Sequence, residues 1–235
     1  MDKEKLVVLT GAGISAESGI TTFRDSGGLW EGFDVMEVAS IDGWYQDPVK
    51  VLEFYNTRRR DLKDALPNEG HKALVELEKS YDVVVITQNV DDLHERAGSE
   101  RVIHLHGELT KARPDNANDP IWEIGYRDIH LGDCDEKGRQ LRPHIVWFGE
   151  MVPMMELAAM EVATCNKLLI IGTSLVVYPA AGLVDLVPEH APIYVIDPVV
   201  PEYRFPRNVH FIHESAAKGT PKLVKELLDS VWNGS

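Results

Sequence analysis

Leu6-Val7-Val8-Leu9-Thr10-Gly11-Ala12-Gly13-Ile14-Ser15-Ala16 is the stretch whose reading decides the fold. A β-branched, apolar run ends in a glycine turn and then a helix start, which puts Gly-x-Gly-x-x-Ala where a dinucleotide fingerprint belongs. In that reading Gly11 permits the tight turn and Gly13 lets a phosphate approach the backbone. Ala16 lets the following helix pack closely on the strand, and its N-terminus offers N–H groups to a pyrophosphate. A hydride-transferring domain of this kind has a second strand and an acidic ribose ligand roughly 20 residues on. Here that stretch, Thr21 to Trp30, reads as a loop. A dinucleotide bound here is therefore held differently from the way a dehydrogenase holds one.

Further apolar runs end in polar, ionisable residues, as strands of an open α/β sheet do where they carry chemistry. Val83 to Ile86 lead into Thr87-Gln88-Asn89-Val90-Asp91, and Val102 and Ile103 lead into His104-Leu105-His106-Gly107-Glu108. Lys167 to Ile171 run into Gly172-Thr173-Ser174, and Ile193 to Ile196 run into Asp197-Pro198. Ile145 to Phe148 and Val209 to Ile212 also read as strands. Helical patterns span Asp47 to Leu66, Gly70 to Lys79 and Pro221 to Val231. Val51, Phe54, Tyr55 and Arg58 share one helical face, which by itself reads as a core stripe beside solvated arginines. Strands alternating with helices give an α/β class, with a mostly parallel, Rossmann-like sheet flanked by helices. Thr110 to Leu141 is polar and turn-rich without clear periodicity, as in a small inserted module. The expected division is a Rossmann-like part over about 1–36, 66–109 and 142–235. A small module takes about 37–65, helical, and 110–141. Together they form a single catalytic domain.

The 235 residues are 44% hydrophobic and 26% charged, ordinary for a soluble globular enzyme. A formal net charge of −14, with only Arg58-Arg59-Arg60 as a basic block, argues against a nucleic-acid partner. No run reaches the ~18 apolar residues of a membrane span, and no signal peptide is visible. Cys134 and Cys165 offer no disulfide framework. The expectation is a cytoplasmic protein without membrane contact.

Gly11-Ala12-Gly13-Ile14-Ser15 with Phe23-Arg24, Thr87-Gln88-Asn89-Val90-Asp91, His104-Leu105-His106-Gly107, Val146-Trp147-Phe148-Gly149-Glu150 and Gly172-Thr173-Ser174 occur in sirtuin order. The chain resembles the sirtuins, NAD-dependent protein lysine deacylases, over nearly its full length. The resemblance implies that NAD is consumed and that the acyl-lysine carbonyl oxygen attacks C1′ of the nicotinamide ribose. A histidine base then acts on a ribose hydroxyl, giving lysine, nicotinamide and O-acyl-ADP-ribose. His106 matches that base; alone, a histidine at a strand end reads as structural, as His104 is read here. Asn89 matches the ribose-orienting residue, with Gln88 beside it, and Asp91 the acceptor for the nicotinamide carboxamide. Asp92 is expected to cap the next helix. Gly11, Ala12, Gly13, Ser15, Glu17, Phe23, Arg24, Gly172, Thr173, Ser174, Asp197 and Ala216 complete the implied cofactor contacts. The family often has Asn where Asp197 stands.

Val146, Trp147, Phe148, Gly149 and Glu150 resemble the edge to which sirtuins add the substrate peptide as a strand. Tyr55 and Arg58 match the Tyr-x-x-Arg of sirtuins that prefer acidic acyl groups, implying succinyl- or malonyl-lysine as well as acetyl-lysine. Residues three apart share a helical face, and a guanidinium can fork onto a carboxylate. The family's four zinc cysteines fall at Pro114, Ala117, Cys134 and Lys137, so one thiolate remains and no zinc is expected. Ile121, Trp122, Ile124 and Tyr126 are expected to order the module by packing. Protein ADP-ribosyl transfer, or a non-catalytic NAD or O-acyl-ADP-ribose sensor, are the competing functions. Oligomeric state has no signature in the sequence.

Overall fold

The structure, a computed structural model, describes residues 3–21, 29–30, 32–115, 119–205 and 209–233. In chain order β1 (Lys5–Thr10) leads through two short 3-10 turns to β2 (Leu29–Trp30) and β3 (Phe33–Asp34). Four helices follow, α1 (Val35–Val38), α2 (Ile41–Gln46), α3 (Pro48–Asp64) and α4 (Glu69–Leu77). Next come β4 (Asp82–Thr87), α5 (Leu93–Ala97), β5 (Val102–His104), β6 (Gly107–Arg113), β7 (Trp122–Glu123) and β8 (Arg142–Ile145). The chain closes with α6 (Met155–Ala163), β9 (Lys167–Ile171), β10 (Ile193–Ile196), β11 (Val209–Ile212) and α7 (Ala216–Asn233).

Six strands form one sheet in the order β11-β10-β9-β1-β4-β5, every neighbour parallel. β1 and β4 are buried from their second residue onward, because both faces of a parallel sheet are covered. Val7, Leu9, Val84, Ile86, Leu168 and Ile170 face α6 and the 3-10 segment Ala180–Leu186. Leu6, Val8, Val83, Val85, Leu169 and Ile171 face α4 and α7. The register aligns Thr10 with Thr87 and Ile171, Thr87 with His104, and Ile171 with Ile196. All five loops that leave these positions therefore open on one edge of the sheet. Strand order reverses between β1 and β9, the place where an open α/β sheet leaves a crevice.

The glycine turn departs from expectation. Ala12–Ile14 and Ala16–Ser18 are 3-10 turns, not an α-helix, and Gly19 at φ +86° closes the second. The N–H of Gly13 donates to the Gly172 carbonyl at 2.8 Å, so that group is already spent. A Cβ on Gly13 would sit 2.6 Å from the Gly172 Cα, which fixes glycine here through loop–loop contact. At the other end, α7 begins at Ala216, ahead of the expected Pro221. The Ser215 carbonyl accepts from Lys218 and Gly219, and the Glu17 carboxylate accepts from Ala217 N at 2.9 Å, so the helix start is capped upstream of the proline.

The patternless stretch holds an antiparallel sheet, β7-β6-β8, packed on α1 to α3 through a third core that includes Val38, Trp44, Val51, Phe54, Leu109 and Ile145. Its strands are short, and β6 carries an irregularity between Glu108 and Ala112, which hides the two-residue period. The strand expected over Ile145 to Phe148 ends at Ile145. Ile124 and Tyr126 pack against this core as expected, whereas Ile121 is exposed. Arg139 adds a second fastening: its guanidinium reaches Asp119 at 2.6 Å and Asp135 at 2.6 Å, joining the two arms of the excursion. Cys134, the one thiol among the four positions counted for zinc, is exposed and forms an isolated backbone bridge with Gln140. One thiolate does not make a tetrahedral zinc site. Cys165 is buried, and burial pushes its thiol up to about 11, in keeping with a structural residue. Among the described residues, no helix is long and apolar enough to cross a membrane.

Candidate active site

A cleft of about 830 Å³ opens between the parallel sheet's loop edge and the helical module. That volume lies within the range of ligand sites. Gly11, Ala12, Gly13, Glu17, Gln88, Asn89, Asp91, His106, Gly172, Thr173, Ser174, Asp197 and Ala216 all line it. So do Tyr55, Arg58 and Val146 to Glu150. Phe23 and Arg24 lie outside the described residues.

Ser15 sits beneath the surface and organises the polar end. Its Oγ accepts from Asn89 Nδ2 at 3.1 Å and donates to Asp91 Oδ2 at 2.9 Å. The other Asp91 oxygen accepts from Leu93 N at 3.1 Å, so Asp91, not Asp92, caps α5. Asp92 instead takes the Tyr126 hydroxyl at 2.6 Å, tying the module to this loop. Burial pushes the Asp91 carboxyl up, opposed by the Leu93 N–H and the Ser15 hydroxyl. Gln88 Nε2 donates to Thr173 Oγ1 at 3.0 Å, which links the loops after β4 and β9. Asp197 accepts from Val199 N at 2.9 Å and is nearly buried.

His106 Nδ1 faces the Gln88 carbonyl at 3.0 Å. A carbonyl only accepts, so Nδ1 carries the proton and Nε2 presents a lone pair, the form a general base needs. Burial lowers the His106 pKa below the ordinary 6.5, and the Gln88 bond opposes that shift in part. A base at this position would work unprotonated, so the expectation is that kcat/KM falls as pH drops through a value below 6.5. A pH–rate profile checks this; an acid limb centred above 6.5 contradicts it.

The opposite end is aromatic and cationic. Tyr55 is fully buried, and its hydroxyl accepts the Trp147 indole N–H at 2.9 Å. Burial pushes the phenol well up, so it stays neutral and keeps a proton to donate. Arg58 is buried too; Nη1 donates to the Phe54 carbonyl at 2.8 Å, and the guanidinium lies 3.1 Å from the Phe54 ring centroid. The core-stripe reading is thus half correct: α3 packs Val51, Phe54 and Tyr55 inward, and Arg58 goes with them. The apolar wall of Val35, Ala39, Leu62 and Leu109 has no local signature in the sequence, because three separate elements, α1 with its cap, α3 and β6, supply it.

In the segment after β8, Val146 N donates to the His106 carbonyl, and Phe148 exchanges bonds with Ala39 and Ile41. Glu150 is held by Arg142 at 2.9 Å and Arg113 at 3.2 Å, and it accepts from Trp147 N at 2.9 Å. Burial alone would raise its pKa, but the Arg142 contacts hold it below the ordinary carboxylate value. Arg142 is completely buried, with its guanidinium 3.3 Å from the Trp147 ring centroid. Glu150→Ala leaves that cation with only a longer contact, 3.7 Å to the half-exposed Asp115, among the described residues, at an expected cost of about 3 kcal/mol. Urea unfolding measures it, and an unchanged midpoint contradicts the pairing.

Residues 11–179 match the Sir2 family model. The chain is 54% identical over 228 residues to an NAD-dependent protein deacylase of Helicobacter pylori strain J99, covering 96% of each chain. It is 50% identical over 232 residues to an NAD-dependent protein deacylase of Bacteroides thetaiotaomicron, covering 96% of this chain and 98% of that one. A solved Sir2 homologue–NAD complex superposes with a TM-score of 0.87 at 39% identity, covering 97% of this chain and 91% of that one. A dinucleotide-sized cleft, a tautomer-fixed histidine and these relatives agree: the chain belongs to the Sir2 family of NAD-dependent protein deacylases.

Proposed function

We propose that this deacylase removes succinyl and malonyl groups from protein lysines, and acetyl groups as well, with Tyr55 and Arg58 reading the acyl terminus. The observation that carries the reading is the presence of Tyr55 and Arg58 in the same cleft as Asn89 and His106. A guanidinium buried among aromatic rings favours an anionic guest, because a carboxylate there gains a charge-assisted, forked bond in a poorly solvated setting. The neutral phenol adds one donor. An acetyl group reaches the same space without using either.

In this reading Asn89, Ser15 and Asp91 form one hydrogen-bonded row that holds the nicotinamide end of NAD. Gln88, Thr173, Ser174 and Asp197 serve the rest of the dinucleotide, and Gly11 and Gly13 leave the backbone close. His106 Nε2 takes the proton from a ribose hydroxyl, and the Gln88 carbonyl holds the ring for that step. Val146 to Glu150 receive the substrate backbone, with Glu150 anchoring the segment through Arg142. Matched acetyl-, succinyl- and malonyl-lysine peptides assayed with NAD test the acyl class. Higher kcat/KM for the acidic acyl groups is the expected result; acetyl turnover alone contradicts it.

A further inference from the structure

His104, two residues before the proposed base, does not reach the cleft, yet both of its ring nitrogens are engaged. Nδ1 lies 3.2 Å from the backbone carbonyl of Asn89, and Nε2 lies 2.7 Å from a Glu95 carboxylate oxygen. Both partners are acceptors. A neutral imidazole has one N–H and would set its lone pair against one of them, whichever tautomer it chose. Only the imidazolium satisfies both.

We propose that His104 is a positioning residue that works as an imidazolium, clamping the Asn89 carbonyl and with it the loop that carries Asn89 and Asp91. The inference rests on the NAD-dependent activity of this cleft. Its consequence follows the hydrogen bonds: the cation fixes Asn89 O, Asn89 Nδ2 donates to Ser15, and Ser15 donates to Asp91. When His104 loses a proton, the remaining N–H stays on Nε2 toward the charged Glu95 oxygen, the stronger acceptor, and the Asn89 end of that row is released.

The surroundings agree. Glu95 on α5 and Glu108 on β6 face the ring as anions, with Lys111 bonded to Glu108 at 2.7 Å. Asp91 feels the His104 charge, and so does His94 on α5, which burial holds well below its ordinary pKa and therefore neutral. Burial alone would lower the His104 pKa, but the Glu95 carboxylate outweighs it and raises the pKa above 6.5. A group with a raised pKa contributes below that pKa and stops as pH rises through it. The alkaline limb of the pH profile therefore belongs to His104, and the acid limb to His106.

Glu95→Gln tests this, since it keeps an acceptor oxygen, removes the charge and lies outside the cleft. The expected result is an alkaline limb of kcat/KM for NAD moved acidward by about one pH unit or more, the shift an adjacent opposite charge typically supports. Turnover between the two limbs is expected to stay close to wild type, whereas stability below the His104 pKa falls in step with the shift, about tenfold in the folding equilibrium per pH unit. Histidine-selective NMR titration of the unmodified protein supplies a readout independent of turnover and should show His104 charged at neutral pH. Superimposable pH profiles, or a neutral His104 ring at neutral pH, overturn the proposal. Absence of nicotinamide release from the unmodified protein would instead count against the deacylase reading, and the titration would still decide His104.

Discussion

His106→Ala is expected to lose deacylation by about 10²–10⁴-fold while still binding NAD, the range that removing a positioned general base spans. Among the described residues the side chain makes one hydrogen bond, Nδ1 to the Gln88 carbonyl, so its removal breaks no bond in the cleft's other walls. The fold keeps its local anchor as well, because the His106 backbone carbonyl, not its ring, accepts from Val146 N. Calorimetry should therefore return near-normal NAD affinity while steady-state turnover collapses. A variant that turns over normally removes His106 from the chemistry. One that also loses NAD affinity makes the ring a binding group instead.

Arg58→Met is expected to lower kcat/KM for succinyl-lysine peptides by roughly 10- to 100-fold, the worth of a hydrogen bond to a charged partner. Acetyl-lysine turnover should remain near wild type. Methionine keeps the length and an apolar stem for packing against Phe54 and Trp30, so the change removes charge and donors more than volume. The discriminating quantity is the ratio of the two substrates, since a general loosening of α3 lowers both. An unchanged ratio contradicts the acyl-terminus reading and leaves Arg58 as a packing residue.

Much of this architecture is legible in the sequence for an identifiable physical reason. β1, β4 and β9 are covered on both faces, so they must be continuously apolar, and their polar exits mark the loop edge. The loop residues Gln88, Asn89, Asp91, His106 and Thr173 converge because the strand registers place their exits side by side. What stayed hidden depends on partners far away in the chain. The Trp147–Tyr55 bond spans 92 positions, and no local pattern announces it. The glycine turn reads as a helix start from composition, but contact with Gly172 makes it a pair of 3-10 turns. β7 is two residues long and β6 is irregular, too little for periodicity to register. Asp92 occupies the N-cap position, yet its neighbour Asp91 takes the cap and Tyr126 takes Asp92.

The shared account of cleft, base and acyl reader is tested most directly by following one succinyl group. A succinyl-lysine peptide is incubated with NAD and the protein, and the products are identified by mass spectrometry as they form. The account predicts nicotinamide release that depends on the acyl peptide, with the succinyl group appearing on ADP-ribose as free lysine accumulates. Peptide-independent nicotinamide release, ADP-ribose attached to the peptide, or a succinyl peptide left intact while acetyl-lysine is consumed would contradict it.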